Sequence, residues 1–387
     1  MIRDDHRPLR HAIAGLIAMA VAMGIGRFVF TPVLPSMMDA LGLSAADAGL
    51  IASANYLGYL VGALLASGGW PQGREWSLAL AGLAANAVLL AWMGLTDSLT
   101  AFLAIRFLAG VASAFVMVFF SMIVFTRLAA AGRGDLQALH FGGVGVGMAF
   151  SALLTGVLFL QGGDWRVSWL ASGLVSAVAF AAVPFMVRGG APQAGGARRE
   201  PPMPRSPALT RIILAYGIFG AGYIVTATFL VAIVRQDGSG PLFESLVWLV
   251  AGLAGAPSVW LWGRAVRRIG LTATFAVGCV VEAVGVVASV ALPGPIGPLV
   301  GAALLGGTFI AVTAFGLQAG RLLAGDAPRR ALGLMTASFG VGQILGPIAA
   351  GYGAVWTGSF VAPSFGAALL LLLAGVIAWS AGRRTSV

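Results

Sequence analysis

Three ionisable side chains stand inside long apolar runs of this sequence: Arg27, Arg106 and Glu282. A charge surrounded by hydrocarbon costs a few kcal/mol at least, about 2.5–3.5 for Arg or Asp at a helix centre, so such a group is a functional candidate by default. Arg27 and Arg106 fall at similar depth in their runs, and no acidic residue of the first half of the chain lies near that depth. Two readings are open. A guanidinium fork matches a carboxylate, so both could face a central space and bind an anionic or zwitterionic solute. Alternatively, they hydrogen-bond carbonyls freed around Gly24 and Gly26 and stabilise the packing of the helices. Glu282 lies mid-run, where a carboxyl either carries a proton or makes a structural hydrogen bond. His140, whose side chain titrates near neutral pH, lies near one end of its run and is a second candidate for proton coupling.

Other chemistries are excluded. All 23 basic residues are Arg; without Lys the chain has no P-loop lysine for a nucleotide and no Schiff base. Cys279 is the single cysteine, and His6, His11 and His140 form no spaced pair, so neither a metal nor another cofactor is implied. No nucleophile stands with a base at catalytic spacing, which argues against an enzyme. Gly143-x-Gly145-x-Gly147 superficially matches a dinucleotide loop, but it lies in an apolar run with no preceding strand; close helix packing is the better account. The net charge of +10 does not imply nucleic acid, because the Arg punctuate loops between apolar runs and form no single patch.

The elements that must position these residues follow from composition. Hydrophobic residues make up 59% of the 387, charged residues only 9%, against about a quarter charged in a soluble domain. The solvent around most of this chain is therefore lipid. The apolar runs are continuous over the roughly 20 residues that a spanning helix needs and do not alternate as barrel strands would. They fall at 11–38, 47–68, 76–95, 98–128, 136–160 and 165–187, then at 208–235, 242–263, 270–292, 295–323, 330–355 and 360–382. The segment 188–207, with Arg188, Arg198, Arg199 and Arg205 and five Pro, reads as a polar linker. The chain thus divides into a six-helix bundle at 1–188, a cytoplasmic linker at 189–207 and a second bundle at 208–387. With the N-terminus inside, 19 of the 23 Arg fall on the cytoplasmic side, Arg166 and Arg235 fall outside, and Arg27 and Arg106 lie within spans. That asymmetry is the positive-inside rule, and a miscounted helix would scramble it. Trp70, Trp76, Trp92, Trp165, Trp262, Trp356 and Trp379 fall near segment ends, as interfacial anchors do. The first run is too long for a signal peptide and shows no convincing cleavage site, so it is read as a mature span. The expected protein is an all-α, multi-pass, functionally monomeric protein of a bacterial-type inner membrane, both termini cytoplasmic.

The halves repeat. Gly24-Ile-Gly26-Arg27 is answered by Gly220-Ala-Gly222-Tyr223 at an offset of 196, Gly110 by Gly306 at 196, and Gly143 and Gly145 by Gly340 and Gly342 at 197. Three matches in order at one offset outweigh the coincidences that 56 Gly make easy. Duplicated membrane halves enclose a solute site at their interface and alternate its access by rocking. The architecture resembles the major facilitator superfamily over essentially the whole chain. The run from Gly24 through Arg27 to Pro35, Asn55-Tyr56-Leu-Gly58-Tyr59, Gly220 to Tyr223 with Thr226 and Thr228, and Gly306-Gly-Thr308-Phe309 resemble its YbfB/YjiJ-type branch.

The resemblance implies transport without naming a solute, and it implies helix positions for further candidates. Asn55 and Tyr59 share a helix face by their spacing of four. Tyr223, Thr308, Gln318 and Gln343 fall on helices that line the cavity in that superfamily, where each binds solute or bonds a neighbouring helix. Gly263, Arg268 and Gly270 match the cytoplasmic gate motif between the eighth and ninth helices, but Arg267 stands where the superfamily prefers Asp. Gly342, Gly346 and Pro347 match a Gly-x-x-x-Gly-Pro pattern in the eleventh segment, whereas the fifth lacks the Pro associated with antiporters. The expected function is secondary transport by alternating access of a small, anionic or zwitterionic solute, driven by a proton or solute gradient. The alternatives are efflux of hydrophobic compounds, which needs an apolar aromatic cavity more than paired Arg, and a non-transporting receptor. The halves do not repeat in charge: Tyr223 answers Arg27 and Ala302 answers Arg106, so a charged solute is expected to be held mainly by the N-terminal half.

Overall fold

The computed structural model describes residues 7–68, 70–187 and 201–382. Arg3, Gly69, Arg383, Arg384 and the linker residues 188–200, with Arg188, Arg198 and Arg199, lie outside the described residues. Among the described residues there is no strand, as expected where lipid offers the backbone no partners. The spans are α1 (Pro8–Leu41), α2 (Ala45–Ala66), α3 (Glu75–Met93), α4 (Leu99–Ala130), α5 (Gly134–Leu160) and α6 (Trp165–Met186). After the linker come α7 (Pro207–Gln236), α8 (Pro241–Gly255 and Ser258–Ile269), α9 (Leu271–Ala291), α10 (Ile296–Leu323), α11 (Pro328–Thr357) and α12 (Val361–Gly382). The two parts of α8 meet at 46° beside Pro257, whose ring cannot continue a helix. This span therefore runs to Ile269, beyond the 263 expected from hydropathy.

The repeat is visible in the contacts as well as in the sequence. A Cβ added to Gly110 on α4 would stand 2.0 Å from the carbonyl oxygen of Asn55 on α2, and one added to Gly306 on α10 would stand 2.0 Å from that of Ala251 on α8. Both members of each pair differ by 196 residues from their counterparts, so the same backbone-to-backbone contact is built once in each bundle. Without a hydrophobic drive between helices in lipid, such close packing of small residues is what binds a bundle.

The bundles meet along three seams, α1 with α7, α2 with α11 and α5 with α8. On the side away from the chain ends, Thr31 Oγ1 donates to Ala227 O at 2.7 Å, and the Arg235 guanidinium bonds Asp39. Here too the partners are 196 apart, so equivalent positions of α1 and α7 touch. Ser53 Oγ donates to Ile344 O at 2.7 Å, and missing side chains at Gly49 and Gly351 admit the carbonyls of Pro347 and Ala45. In the α5–α8 seam, Gly145 admits the backbone of Ala256, and Gly252 that of Ala149. α7 is buried without interruption from Gly222 to Val234, but Leu214, on the half nearer the chain ends, is exposed. The far side is sealed.

Gly306→Ala is expected to lower the thermal unfolding midpoint of detergent-purified protein by the equivalent of about 1–3 kcal/mol or more, because a carbonyl oxygen cannot rotate aside. Gly307→Ala is the control, since a Cβ there meets nothing within 4 Å. Equal midpoints for the two variants would contradict the packing described.

Candidate functional site

α1 is interrupted. A π-helical turn, Ala20–Ile25, follows Met19, and regular helix resumes only at Phe30. Glycines let α5 press into the break: a Cβ on Gly24 would stand 2.5 Å from Val144 O, while Gly143 and Gly147 pack on Leu16 O and Ala20 O. The triplet Gly143-x-Gly145-x-Gly147 is thus a packing device, as its apolar setting implied. The break costs hydrogen bonds. Thr31 N–H bonds Phe28 O at 3.2 Å rather than Arg27 O one turn back.

The freed carbonyls are taken by Arg106, whose Nη1 donates to Gly26 O at 2.9 Å and Nη2 to Arg27 O at 3.1 Å. Asn55 Nδ2 in turn donates to Arg106 O at 3.0 Å, and Asn86, which the sequence reading passed over, donates to Val21 O at 3.3 Å. Of the two readings open for the guanidinium groups, Arg106 takes the structural one: it is 1% exposed and two of its nitrogens bond the main chain. The same holds for Asn55, fully buried between α2 and α4.

Arg27 does face the cavity. The space lies between the bundles, on the chain-end side of the sealed seam, and measures about 100 Å³. α1 contributes Met19, Met23, Arg27 and Phe28; α2 contributes Tyr59; α4, Met117; α5, Phe141 and Val144. α7 adds Tyr216 and Tyr223, α10 adds Phe309, Ile310, Thr313, Ala314 and Leu317, and α11 adds Thr336 and Phe339. Arg27 is the one formal charge among these. Its guanidinium carbon lies 4.3 Å from the Tyr59 ring centroid, 4.9 Å from Tyr56 and 5.9 Å from Phe28. Ring faces attract a cation, each by about 0.5–2 kcal/mol, and here they stand where a carboxylate would otherwise be needed. Among the described residues Arg27 has no acidic partner, and its Nε has no hydrogen bond. Nη2 reaches Gln343 Oε1 at a long 3.4 Å, and Gln343 Nε2 donates to Tyr223 OH at 2.5 Å. Arg27 and its repeat counterpart Tyr223 are thus joined through Gln343, across the interface between the bundles.

The remaining candidates lie elsewhere. Thr308 does not line the cavity; it turns to α9, where its hydroxyl meets Glu282 Oε2 at 3.0 Å and Leu304 O at 2.6 Å. Glu282 is fully buried in that contact, and its Oε1 has no partner. His140 is buried between α4, α5 and α1, with Nε2 2.8 Å from Ser121 Oγ and its ring against Phe125 and Phe141. Gln318 is exposed and outside the cavity lining. Gly263, Arg267 and Arg268 lie on the second part of α8, both Arg exposed, and Gly270 makes the turn into α9 with a φ of 80° that suits glycine. Two features escaped the sequence reading. One is the aromatic face formed by Tyr216, Phe219, Tyr223, Phe309 and Phe339; the helical spacing of Tyr216, Phe219 and Tyr223 was its available signal. The other is Arg235 bonded to Glu244 and Asp39, signalled by the offset of 196 between Asp39 and Arg235.

Among the described residues, eleven apolar helices and a bent pair that makes a twelfth span, in two equivalent bundles about a cavity sealed on one side, have the architecture of a membrane transporter of the major facilitator class. The chain belongs to the family described as uncharacterised MFS-type transporter YbfB, which matches residues 19–379. Similar solved folds include a mutant of the nucleoside transporter NupG, with TM-score 0.74, 15% identity, and 97% of this chain and 99% of that one covered. A second structure of that transporter superposes with TM-score 0.68, 15% identity and 98% and 99% coverage. A bacterial homologue of the human lysosomal transporter Spinster, inward-facing and unoccupied, gives TM-score 0.69, 14% identity and 98% and 97% coverage. At such identities the likeness shows the fold. No curated protein matches the chain in sequence.

Arg106→Ala strips two buried carbonyls of their partners, at about 1–3 kcal/mol each. Its expected signature is a large drop in the unfolding midpoint of ligand-free protein. A variant of unchanged stability that had lost only solute binding would return Arg106 to the cavity.

Proposed function

We propose that this transporter moves a small organic anion by alternating access, and that Arg27 holds the negative charge of the solute. One observation carries the reading: a buried guanidinium lines the interface cavity with no carboxylate to neutralise it. An uncompensated cation in such surroundings is expensive, and an anionic solute supplies the missing charge together with bidentate hydrogen-bonding geometry. Tyr59, Tyr223 and Gln343 complete the site. The charge is held by the N-terminal bundle, residues 1–188, while the C-terminal bundle, 208–387, closes the aromatic wall; the linker 189–207 joins them on the cytoplasmic side. The Arg distribution supports both termini lying in the cytoplasm of a bacterial-type inner membrane, a placement in which the sealed seam faces outward and the cavity faces the cytoplasm. The cavity is complete within one chain, which suits a functional monomer. Glu282 and His140 are the buried titratable groups available for proton coupling, each standing apart from the cavity lining. Arg267, standing where the superfamily prefers Asp, leaves the cytoplasmic gate motif of Gly263, Arg268 and Gly270 without that acidic residue. A second reading, efflux of hydrophobic compounds, is supported by the aromatic and Met lining; it predicts that flux survives loss of Arg27.

In proteoliposomes, Arg27→Gln is expected to reduce saturable uptake or exchange of organic anions at least tenfold at unchanged protein stability. Unchanged anion flux would sink the anion reading and favour the hydrophobic one. Alternating access has its own test on the far-side seam. Paired Thr31→Cys and Ala227→Cys are expected to cross-link under oxidant, stop transport and recover on reduction, with the buried Cys279 a silent background. Full transport by the cross-linked protein would mean that this seam never opens.

A further inference from the structure

We infer that the solute is a planar aromatic monocarboxylate, its carboxylate on Arg27 and its ring against the wall of Tyr223, Phe309 and Phe339. This rests on the anion reading above and narrows it by three features of the cavity. The first is charge. Arg27 stands alone among lining residues that are otherwise aromatic, aliphatic, Met or Thr, so a second negative charge on the solute would be buried without a partner. An ammonium would meet no carboxylate there and would be repelled by Arg27, so only ring faces could hold the cationic end of a zwitterion.

The second feature is the direction of the hydrogen bonds. Tyr223 OH already accepts from Gln343 Nε2, which leaves its own proton to donate, and Arg27 Nε has no partner within the protein. Nε is itself buried, so the donors that face a solute are the Tyr223 hydroxyl and the rest of the Arg27 guanidinium, one from each bundle, and a carboxylate is all acceptor. The third is shape. The Tyr223 ring lies within 10° of parallel to Phe309 and within 13° of parallel to Phe339, each at a centroid separation of 5.7 Å. At that separation parallel rings overlap as an offset stack, so these three lining rings form one aromatic column beside the cavity, and a planar ring extends such a stack with more contact than a puckered one. Met19, Met23 and Met117 supply adaptable thioethers for the ring edge. The free volume, about 100 Å³, is below the roughly 150 Å³ apolar cavity that holds one benzene, so only a small solute fits and the thioethers must move aside to admit a ring.

The test is calorimetric titration of purified full-length protein with benzoate, cyclohexanecarboxylate, phthalate, benzyl alcohol and uridine. Benzoate is expected to bind at least tenfold tighter than each of the others. Phe309→Leu, and Phe339→Leu as a second variant, should shrink the preference for benzoate over cyclohexanecarboxylate to within about threefold, whereas Arg27→Gln should abolish binding of both acids. Equal affinity for benzoate and cyclohexanecarboxylate, still lost in Arg27→Gln, overturns the aromatic class and leaves the anion reading standing. Tighter binding of phthalate overturns the single charge. Tighter binding of benzyl alcohol or uridine, indifferent to Arg27→Gln, overturns the inference and the anion reading together.

Discussion

A helix surrounded by hydrocarbon cannot be interrupted unless something else bonds the carbonyls it frees, and α1 is interrupted between Ala20 and Phe30. The bonds from Arg106 to Gly26 O and Arg27 O are the condition for that break. Much of the site follows from them. α4 also packs backbone to backbone on α2, which the bare Gly110 against Asn55 allows. Asn55 closes the arrangement by bonding the main chain of Arg106 itself. With the main chain of residue 27 held in this way, its side chain lies over the Tyr59 ring of its own bundle and reaches across the interface to Gln343. One guanidinium is structural so that the other can be functional.

The two-fold repeat explains where the site lies. Equivalent residues of α1 and α7 meet at Thr31 with Ala227 and at Asp39 with Arg235, so the pseudo-symmetry axis passes between these helices. Arg27 and Tyr223, the next equivalent pair toward the chain ends, are separated by the amide of Gln343 and border the cavity. A symmetric ancestor would place two like groups there. Two guanidinium groups at that distance would repel one another in a medium that screens charge poorly; an Arg facing a Tyr does not. The asymmetry in charge is thus compatible with a close approach of the bundles that charge symmetry would forbid.

The span count, the halves and their glycine-to-backbone contacts were legible in the residues, because lipid permits few ways of satisfying a backbone and those ways leave long apolar runs and repeated glycines. The burial of Arg27 and Arg106 within apolar helices was legible too, but their division of labour was not. Both are lone Arg in apolar helices, and what separates them is which carbonyls are free, a property of the local path of α1. Thr308 and Glu282 show the same limit: each is a polar residue in a span, and only packing reveals that they satisfy one another away from the cavity. Pro257 signalled the bend in α8, yet hydropathy alone ended that span early because Arg264, Arg267 and Arg268 interrupt its apolar character.

The composition of the seams bears on how such a protein can move. Within each bundle, backbone contacts at Gly110 and Gly306 are supported by neighbouring helices on several sides. Between bundles, the far-side contacts include glycines against carbonyls, hydroxyl hydrogen bonds at Thr31 and Ser53, and an ion pair whose Asp39 side chain is 65% exposed. An exposed pair contributes about 0–1 kcal/mol, and a Ser or Thr hydroxyl that loses its partner can turn back to a carbonyl of its own helix or to water. Glycine faces present no large side chains to withdraw from pockets. The seam is therefore complementary in shape but built from contacts that can be exchanged one for one as it opens. The charge that cannot be exchanged so cheaply, Arg27, stands at the cavity instead, where a bound anion can travel with its partner as access changes sides.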